Sequence, residues 1–244
     1  MSLRTAAESG KLILYGFFRS SSTARLRIAL NLKQIPYEKI SINILTGKHL
    51  EPAYAAINPS LTVPTLIIQN KADPNKSTSI TQSFAALEYL EEVFPEHPLL
   101  PPLKQHENRA FVRTLTNLMV AEAQPTTSLR LMNRVTEIAG NDGAQAWLKD
   151  FTVAALKAYE EVAKPVAGNY SVGDQVTIAD VCLVPALWNA VERSKLGLDE
   201  YPTIKRVFGN LMKLDAVREA GWWNQEDCPA DLAKTGKESW SKYY

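Results

Sequence analysis

Residues 11–30, which read KLILYGFFRSSSTARLRIAL, determine the first two structural elements. The short apolar run KLILY at 11–15 suits a buried β-strand. From about residue 22 to residue 34 the apolar spacing is that of a helix, and the serines directly before it are typical N-cap residues. The stretch therefore predicts a strand that leads into a helix through a hydroxyl-rich loop.

Four successive hydroxyl residues, 20–23, stand at the predicted helix start. One hydroxyl is enough to cap a helix, so capping does not account for the other three. Arg25 and Arg27 follow, although the positive end of the helix dipole disfavours cations there. Free amides, hydroxyls and guanidinium groups at one helix start indicate an anion site. The alternative is an ordinary well-capped helix whose arginines point into solvent.

The rest of the N-terminal third predicts three more strands and two more helices. Strict alternation at 37–44 indicates a strand, and Pro64 opens the run PTLII as a first strand residue, where proline is tolerated. A polar hairpin tip is expected at 69–79, and a last strand near Ile80 follows it. Helices are expected at 49–56 and 82–92. The order β-α-β-α-β-β-α predicts an α/β domain whose sheet begins with βαβ units and closes with a hairpin.

A proline-rich stretch, FPEHPLLPP at 94–102, ends this pattern because prolines at that density continue neither helix nor sheet. Beyond it only helical patterns are found, at about 104–124, 126–139, 144–162, 178–192 and 202–214. We therefore divide the chain into a flexible leader at 1–10, an α/β domain at 11–94, a linker at 95–103, and an all-helical domain with a C-terminal tail at 104–244.

Two features of the fourth predicted helix are assigned to folding. Thr177 and Asp180 form a capping box, with an aspartate in place of the usual glutamate. Pro185 lies inside the helix, removes an internal hydrogen bond and is expected to kink it.

Composition excludes several kinds of partner and site. The 27 basic and 26 acidic residues give a net charge of +1, so no overall field attracts nucleic acid or an anionic membrane. Cys182 and Cys228, the two cysteines, fit a reducing compartment and provide neither a disulfide framework nor a zinc spacing. We therefore expect no metal site. Since a secretory signal and a membrane span of ~20 apolar residues are lacking, we expect a cytoplasmic protein. The alternative location is the mitochondrion, to which an N-terminal leader would direct the protein.

Six separated motifs resemble those of the zeta class of cytosolic glutathione transferases, which includes maleylacetoacetate isomerase. They are SSSTARLRIAL at 20–30, NPSLTVPTL at 58–66, TQS at 81–83, EAQPTTSL at 122–129, VGDQVTIADVCLVP at 172–185 and NAVER at 189–193. Each motif alone is weak, but their order and spacing are specific. The resemblance implies a thioredoxin-like N-terminal domain, an all-α C-terminal domain, glutathione as cofactor and a homodimer.

The resemblance also implies a thiolate site at the first helix. Ser20 matches the serine that stabilises the glutathione thiolate, and Ser21 and Ser22 continue the loop around it. Arg25 matches an arginine near the active centre. The predicted catalytic residues are therefore Ser20, Ser21 and Arg25. Simple capping is the alternative role of Ser21 and Ser22.

Other matched residues would bind the rest of glutathione. Val63–Pro64 resembles a cis-proline turn in which the Val63 backbone pairs with the cysteinyl portion. The further matches are Gln82 and Ser83 at the γ-glutamyl carboxylate, His49 near the glycyl end, and Gln124 and Ser128 in the helical domain. Ordinary N-capping or exposure to solvent is the alternative for these side chains.

Arginine is the residue type that would hold an anionic substrate. Arg193, in NAVER, matches an arginine of this role after a one-residue shift, and Arg25 is the second candidate. A surface arginine near a helix C-terminus is the alternative for Arg193.

The implied activity is the glutathione-dependent cis-trans isomerisation of 4-maleylacetoacetate to 4-fumarylacetoacetate in tyrosine and phenylalanine catabolism. Two departures bear on it: Ser22 replaces a cysteine, and Ala24 replaces a bulky aromatic residue. A transferase that conjugates electrophiles or dehalogenates α-halo acids is the first alternative. A non-catalytic glutathione-binding scaffold is the second, and the intact site residues argue against it.

Overall fold

A computed structural model describes residues 10–70, 73 and 76–243 of the chain. The chain forms two compact units. The first draws on Met1–Pro98 and Met212–Tyr244, as far as those ranges are described, and the second comprises Leu99–Leu211. Apart from Gly10, the predicted leader lies outside the described residues, as does part of the predicted hairpin tip at 69–79.

The first unit contains a four-stranded sheet of order β2-β1-β3-β4. Its strands are β1 (Lys11–Gly16), β2 (Glu38–Ser41), β3 (Thr65–Gln69) and β4 (Ser77–Ile80). β1 pairs parallel with β2 and antiparallel with β3, which pairs antiparallel with β4. Helix α1 (Ser21–Leu32) connects β1 to β2. The predicted βαβ unit followed by a hairpin is thus confirmed.

Two predicted elements are shorter than expected. The strand predicted at 37–44 ends at Ser41, because the Asn43 side chain accepts a hydrogen bond from the Leu45 N–H at 3.0 Å and starts a 3₁₀ turn at Ile44–Thr46. The helix predicted at 49–56 is divided into a 3₁₀ turn, Lys48–Leu50, and helix α2 (Pro52–Ala55). Pro52 lacks an N–H group, so it begins a helix and does not continue one.

Helix α3 (Ser83–Val93) follows β4 and packs against α1. The core between these helices and the sheet consists of aliphatic side chains that are at most 2% exposed, among them Leu14, Leu26, Leu30, Leu66, Leu87 and Leu90. This packing fixes the ends of α1 and α3 relative to the sheet.

The second unit is entirely helical in its regular structure. It contains α4 (His106–Asn117), a π-helical turn (Leu118–Ala123), α5 (Gln124–Thr126), α6 (Leu129–Ala163), α7 (Ile178–Arg193) and α8 (Pro202–Leu211). The two helices predicted at 126–139 and 144–162 are one element, α6, with a break at Gly140, where φ is 72° and ψ is 178°. Residues 178–185 of α7 are all buried, so α7 is the core helix of the unit.

The C-terminal residues pack with the first unit, whereas the predicted helical domain extended to residue 244. They form α9 (Asp215–Glu219), a 3₁₀ turn (Trp222–Asn224), α10 (Ala230–Trp240) and a last 3₁₀ turn (Ser241–Tyr243). Side chains of α1 explain the difference, because Arg27 donates to the Ala220 carbonyl at 3.0 Å and Asn31 donates to the Ala216 carbonyl at 3.1 Å.

Candidate active site

The start of α1 has a hydroxyl cap, and no acidic side chain in its first turn meets the positive end of the helix dipole. Ser20 is the half-buried N-cap, and its Oγ accepts a hydrogen bond from the Thr23 N–H at 3.2 Å. A hydroxyl that accepts in this way keeps its own O–H as a donor. Ser21 and Ser22 occupy the first helical positions, where N–H groups lack intrahelical partners. Since no acidic residue lies in the first turn, this end of α1 suits an external anion.

The two arginines of α1 do not point into solvent, so the alternative of a simple exposed helix start is wrong. Arg25 is 2% exposed and Arg27 is 3% exposed. The Arg27 guanidinium donates to the Phe18 carbonyl at 3.1 Å and to the Ala220 carbonyl at 3.0 Å. Burial lowers the pKa of the Arg27 guanidinium to about 10. Arg27 therefore joins the loop before Ser20 to the C-terminal residues.

Arg25 connects the starts of two helices. Its Nη1 donates to the Oγ of Ser83, the first residue of α3, at 3.1 Å, and both side chains are buried. This burial leaves almost no surface of Arg25 for a substrate carboxylate. The structure therefore does not support the expected contact of Arg25 with substrate, and it indicates that Arg25 holds Ser83 in place.

One edge of the sheet brings the other candidates of the first unit together. β1 ends at Gly16, β3 begins at Thr65 opposite Tyr15, and β4 ends at Ile80 opposite Leu66. The loops at 17–20, 58–64 and 81–82 therefore meet at the same edge. Within them the Val63–Pro64 peptide bond is cis, in agreement with the cis-proline turn implied by the resemblance.

Two more polar groups belong to this region of the chain. Gln82 is the exposed N-cap of α3, makes no side-chain capping bond, and is followed by a first turn without acidic residues. His49 lies in the 3₁₀ turn after β2, the strand that pairs parallel with β1. Its Nδ1 is buried and has no hydrogen-bond partner within the described part of the chain. Gln82 and His49 therefore remain candidates for binding a polar ligand.

The candidates of the second unit form a separate cluster. Ser128 is the N-cap of α6, where its Oγ accepts from the Leu131 N–H at 3.4 Å and donates to the Pro125 carbonyl at 3.0 Å. Arg193, the last residue of α7, donates to the Thr127 carbonyl at 3.0 Å. Gln124 begins α5 in the same segment and is half-buried. The structure thus joins Arg193 to the segment that carries Gln124 and Ser128.

The C-terminal residues contribute to this region of the molecule, which the sequence did not indicate. Asp227 accepts a hydrogen bond from the Phe18 N–H at 3.1 Å, across 209 residues of sequence. No local pattern could have indicated this contact, because Asp227 lies in a polar tail without periodicity.

Among residues 10–70, 73 and 76–243, no group of three or more His, Cys, Asp or Glu side chains is arranged to hold a metal ion. In the same residues, no helix has the length and apolar character needed to span a membrane. Cys182 is buried and Cys228 is half-buried, and both are free thiols.

Comparison with known proteins places both units in one family. The glutathione S-transferase N-terminal domain matches residues 19–93, and the glutathione S-transferase C-terminal domain matches residues 148–215. The chain is 50% identical to maleylacetoacetate isomerase maiA of Aspergillus fumigatus over 226 residues, which cover 92% of this chain and 96% of the relative.

Two solved structures have the same fold. One is maleylacetoacetate isomerase of Anaeromyxobacter dehalogenans with bound glutathione in its active site, with a TM-score of 0.81, 35% identity, and 91% and 100% of the two chains covered. The other is a bacterial maleylpyruvate isomerase described as a zeta-class glutathione S-transferase, with a TM-score of 0.81, 34% identity, and 89% and 100% coverage. The predicted fold, a thioredoxin-like α/β part and an all-α part, is confirmed. The chain belongs to the zeta class of the glutathione S-transferases.

Proposed function

We propose that this chain catalyses the glutathione-dependent cis-trans isomerisation of 4-maleylacetoacetate to 4-fumarylacetoacetate in tyrosine and phenylalanine catabolism. The observation that carries the proposal is the start of α1, where a half-buried hydroxyl lies next to the Ser21 and Ser22 amides, which lack intrahelical partners and suit an anion. The names of the Aspergillus fumigatus relative and of the glutathione-bound neighbour agree with it.

The polar groups of the first unit fit glutathione, which carries a thiol and two carboxylates. The Ser20 O–H would donate to the sulfur, and the α1 dipole would favour the thiolate over the thiol. The start of α3, with Gln82 and Ser83, suits the γ-glutamyl carboxylate because its first turn holds no acidic residue. His49, whose buried Nδ1 has no partner in the described residues, is the candidate at the glycyl carboxylate.

Bound glutathione would supply a nucleophilic sulfur whose reversible addition to the cis double bond lets that bond rotate. The residues of this chain keep the sulfur ionised and hold the ends of the substrate. Ser20 supplies the hydrogen bond to the anion, with Ser21 and Ser22 contributing first-turn amides. Arg25 fixes Ser83 through their 3.1 Å hydrogen bond. We assign one substrate carboxylate to Arg193, since a guanidinium group binds carboxylate in bidentate geometry.

The test measures free thiol while substrate is converted. We expect 4-maleylacetoacetate, or maleylpyruvate as a stand-in, to be isomerised at constant free thiol, because the isomerase regenerates glutathione in each turnover. Loss of one thiol per product formed would replace the proposal with the transferase that conjugates electrophiles. Retention on immobilised glutathione without any turnover would favour the non-catalytic scaffold.

A substitution of Arg193 provides the second arm of the test. Arg193→Leu should raise KM for the diacid about 10- to 100-fold, since a charge-assisted hydrogen bond is worth about 1.5–3 kcal/mol. KM for glutathione should stay the same. Arg134→Leu is the matched control, because Arg134 is an exposed arginine of the same unit that pairs with Glu137. Unchanged diacid kinetics in Arg193→Leu would remove Arg193 from the substrate site.

We further propose a homodimer in the cytoplasm. Zeta-class resemblance supports the dimer, and the two free thiols support a reducing compartment. Light scattering should give a particle of twice 27.1 kDa at micromolar concentration, and a particle of 27.1 kDa would contradict the dimer. A fluorescent fusion of the full chain that accumulates in mitochondria would contradict the cytoplasmic location.

A further inference from the structure

The residue two positions before Ser20 is held on both sides of its backbone by the C-terminal part of the first unit. The Phe18 N–H donates to Asp227 Oδ2 at 3.1 Å, and the Phe18 carbonyl accepts from Arg27 at 3.1 Å. Arg27 in turn donates to the Ala220 carbonyl at 3.0 Å. Residues 218–240, which we call the C-terminal brace, therefore contact the loop that presents Ser20.

A third contact involves the residue next to Ser20. The Arg19 guanidinium lies 4.1 Å from the centre of the Trp222 ring, a cation–π distance. Trp222 meets Trp223 edge to face at 5.6 Å, and Trp223 stacks on Trp240 at 5.7 Å. Because Trp223 and Trp240 are each 1% exposed, the brace is itself a packed structure.

Asp227 also binds a second element of the sheet. The same oxygen, Oδ2, accepts a hydrogen bond from the Ser41 hydroxyl at 2.6 Å, at the end of β2. Asp227 thereby ties the loop before α1 to the strand that follows α1. Its neighbour Glu226 differs, because the Glu226 side chain is 90% exposed and pairs only loosely with Lys39 at 3.4 Å.

Open space also lies beside this loop. A shallow, half-open pocket is bordered by Phe17, Phe18, Thr23, Arg27, Ser41 and Asp227. The Phe17 and Phe18 side chains are buried and anchor the loop by packing, whereas the hydrogen bonds of the Phe18 N–H and carbonyl fix the direction of its backbone. The Ser20 N–H donates to the Phe17 carbonyl at 3.0 Å, so a shift of the loop at 17–18 would carry Ser20 with it.

We propose that Asp227 is a positioning residue for the Ser20 hydroxyl. It fixes the Phe18 backbone, and through it the direction in which Ser20 donates to the glutathione sulfur. The inference rests on the proposed function in one respect, the role of Ser20 at the thiolate. It goes beyond that function because it makes the C-terminal brace part of the machinery that sets thiol ionisation.

The experiment compares Asp227→Ala, Asp227→Asn and Glu226→Gln in the full-length protein. For each variant, kcat, KM for glutathione, the melting temperature, and the pKa of the thiol of bound glutathione are measured, the last from ultraviolet thiolate absorbance against pH. Asp227→Ala should lower kcat about 10- to 100-fold, because small misplacements of a reacting group have effects of that order. It should also raise the thiol pKa, since the Ser20 hydrogen bond favours the thiolate.

The other two variants separate positioning from general stability. Asp227→Asn should restore most of kcat and of the thiol pKa, because its amide oxygen can still accept from the Phe18 N–H. Glu226→Gln should behave as the wild-type protein, although it removes the same charge one residue away. A loss in Glu226→Gln equal to that in Asp227→Ala would assign the effect to charge and overturn the inference.

The remaining outcomes are also decisive. A folded Asp227→Ala variant with the wild-type thiol pKa would overturn the inference and leave the proposed function intact. If the wild-type protein binds glutathione but does not isomerise, the proposed function fails, whereas a raised thiol pKa in Asp227→Ala would still support the inference. If Asp227→Ala does not fold, Asp227→Asn decides: a thiol pKa close to the wild-type value supports the inference, and a thiol pKa raised well above it contradicts the inference.

Discussion

At the start of α1, Ser20 is half-exposed and its hydroxyl accepts one hydrogen bond, whereas at the start of α7, Thr177 and Asp180 are buried and fully engaged. Asp180 is 0% exposed, and its carboxylate accepts from the Ser171 N–H at 2.8 Å, the Thr177 N–H at 2.8 Å and the Thr177 hydroxyl at 3.0 Å. Both helix starts use hydroxyl caps, but only the second is closed to ligands.

The difference lies in where the anion comes from. In α7 the chain supplies its own carboxylate, Asp180, in the first turn, and this group meets the positive end of the dipole. In α1 and α3 the first turn contains no acidic residue, so the positive end is left for a group from outside the chain. An acidic residue at the third helical position thus separates a helix start that stabilises the fold from one that can bind a ligand.

The largest effect expected from this comparison is on catalysis at α1. Ser20→Ala should lower kcat ~10²–10³-fold, as removal of one hydrogen-bond donor to a bound anion does elsewhere. Glutathione binding, measured by calorimetry, should persist because α3 and the Val63 backbone still contribute. Ser22→Ala is the matched control and should have a much smaller effect. If Ser22→Ala were the worse variant, the alignment of Ser20 with the thiolate-stabilising serine would be wrong.

Local patterns predicted the parts of the molecule that short-range physics determines. The strand and helix order from β1 to α3 and the capping box at Thr177 follow from periodicity and cap chemistry within a few residues. The break inside α6 falls at Gly140, between the two helices predicted there, because glycine readily adopts a positive φ.

Contacts between distant residues could not be predicted in this way. Burial of Arg27 depends on the Ala220 carbonyl, 193 residues away, and the hydrogen bond of Arg25 depends on Ser83. A charged side chain is exposed by default, and only a specific distant partner makes its burial favourable. For the same reason, the sequence alone did not indicate that residues 212–243 pack with the first unit.

The second prediction concerns stability at α7. Asp180→Ala should lower the free energy of unfolding by about 3 kcal/mol, because it leaves the buried N–H groups of Ser171 and Thr177 without acceptors. Urea unfolding measures the change, and the kcat of the folded protein should be unaffected. Asp174→Ala is the matched control, since Asp174 is an exposed carboxylate of the same unit that accepts one hydrogen bond, from the Asn169 N–H. Equal losses in the two variants would show that burial of the capping box adds nothing.

The smallest effect expected is a pH dependence of the free energy of unfolding. It arises at the start of α7, whose first turn contains the titratable Asp180, and not at the start of α1. Burial raises the pKa of the Asp180 carboxyl above its ordinary value of 3.8, and the hydrogen bonds from Ser171 and Thr177 oppose the rise without cancelling it. Between 3.8 and the raised pKa, the folded chain binds a proton at Asp180 that the unfolded chain has lost. The stability contributed by this group is therefore fully present below pH 3.8 and is lost as the pH rises through the raised pKa.

Asp180→Asn isolates this contribution because asparagine does not titrate and has nearly the same shape. The free energy of unfolding of the wild-type protein minus that of Asp180→Asn should fall as the pH rises through this window and level off above it. Other titrating groups are common to both proteins and cancel in the difference. Ser20→Ala, compared with the wild-type protein in the same way, should show no slope, since α1 has no acidic residue in its first turn. A difference that rose with pH for Asp180→Asn would mean that the donors around the carboxylate outweigh its burial, and that even a sealed helix start favours the anion.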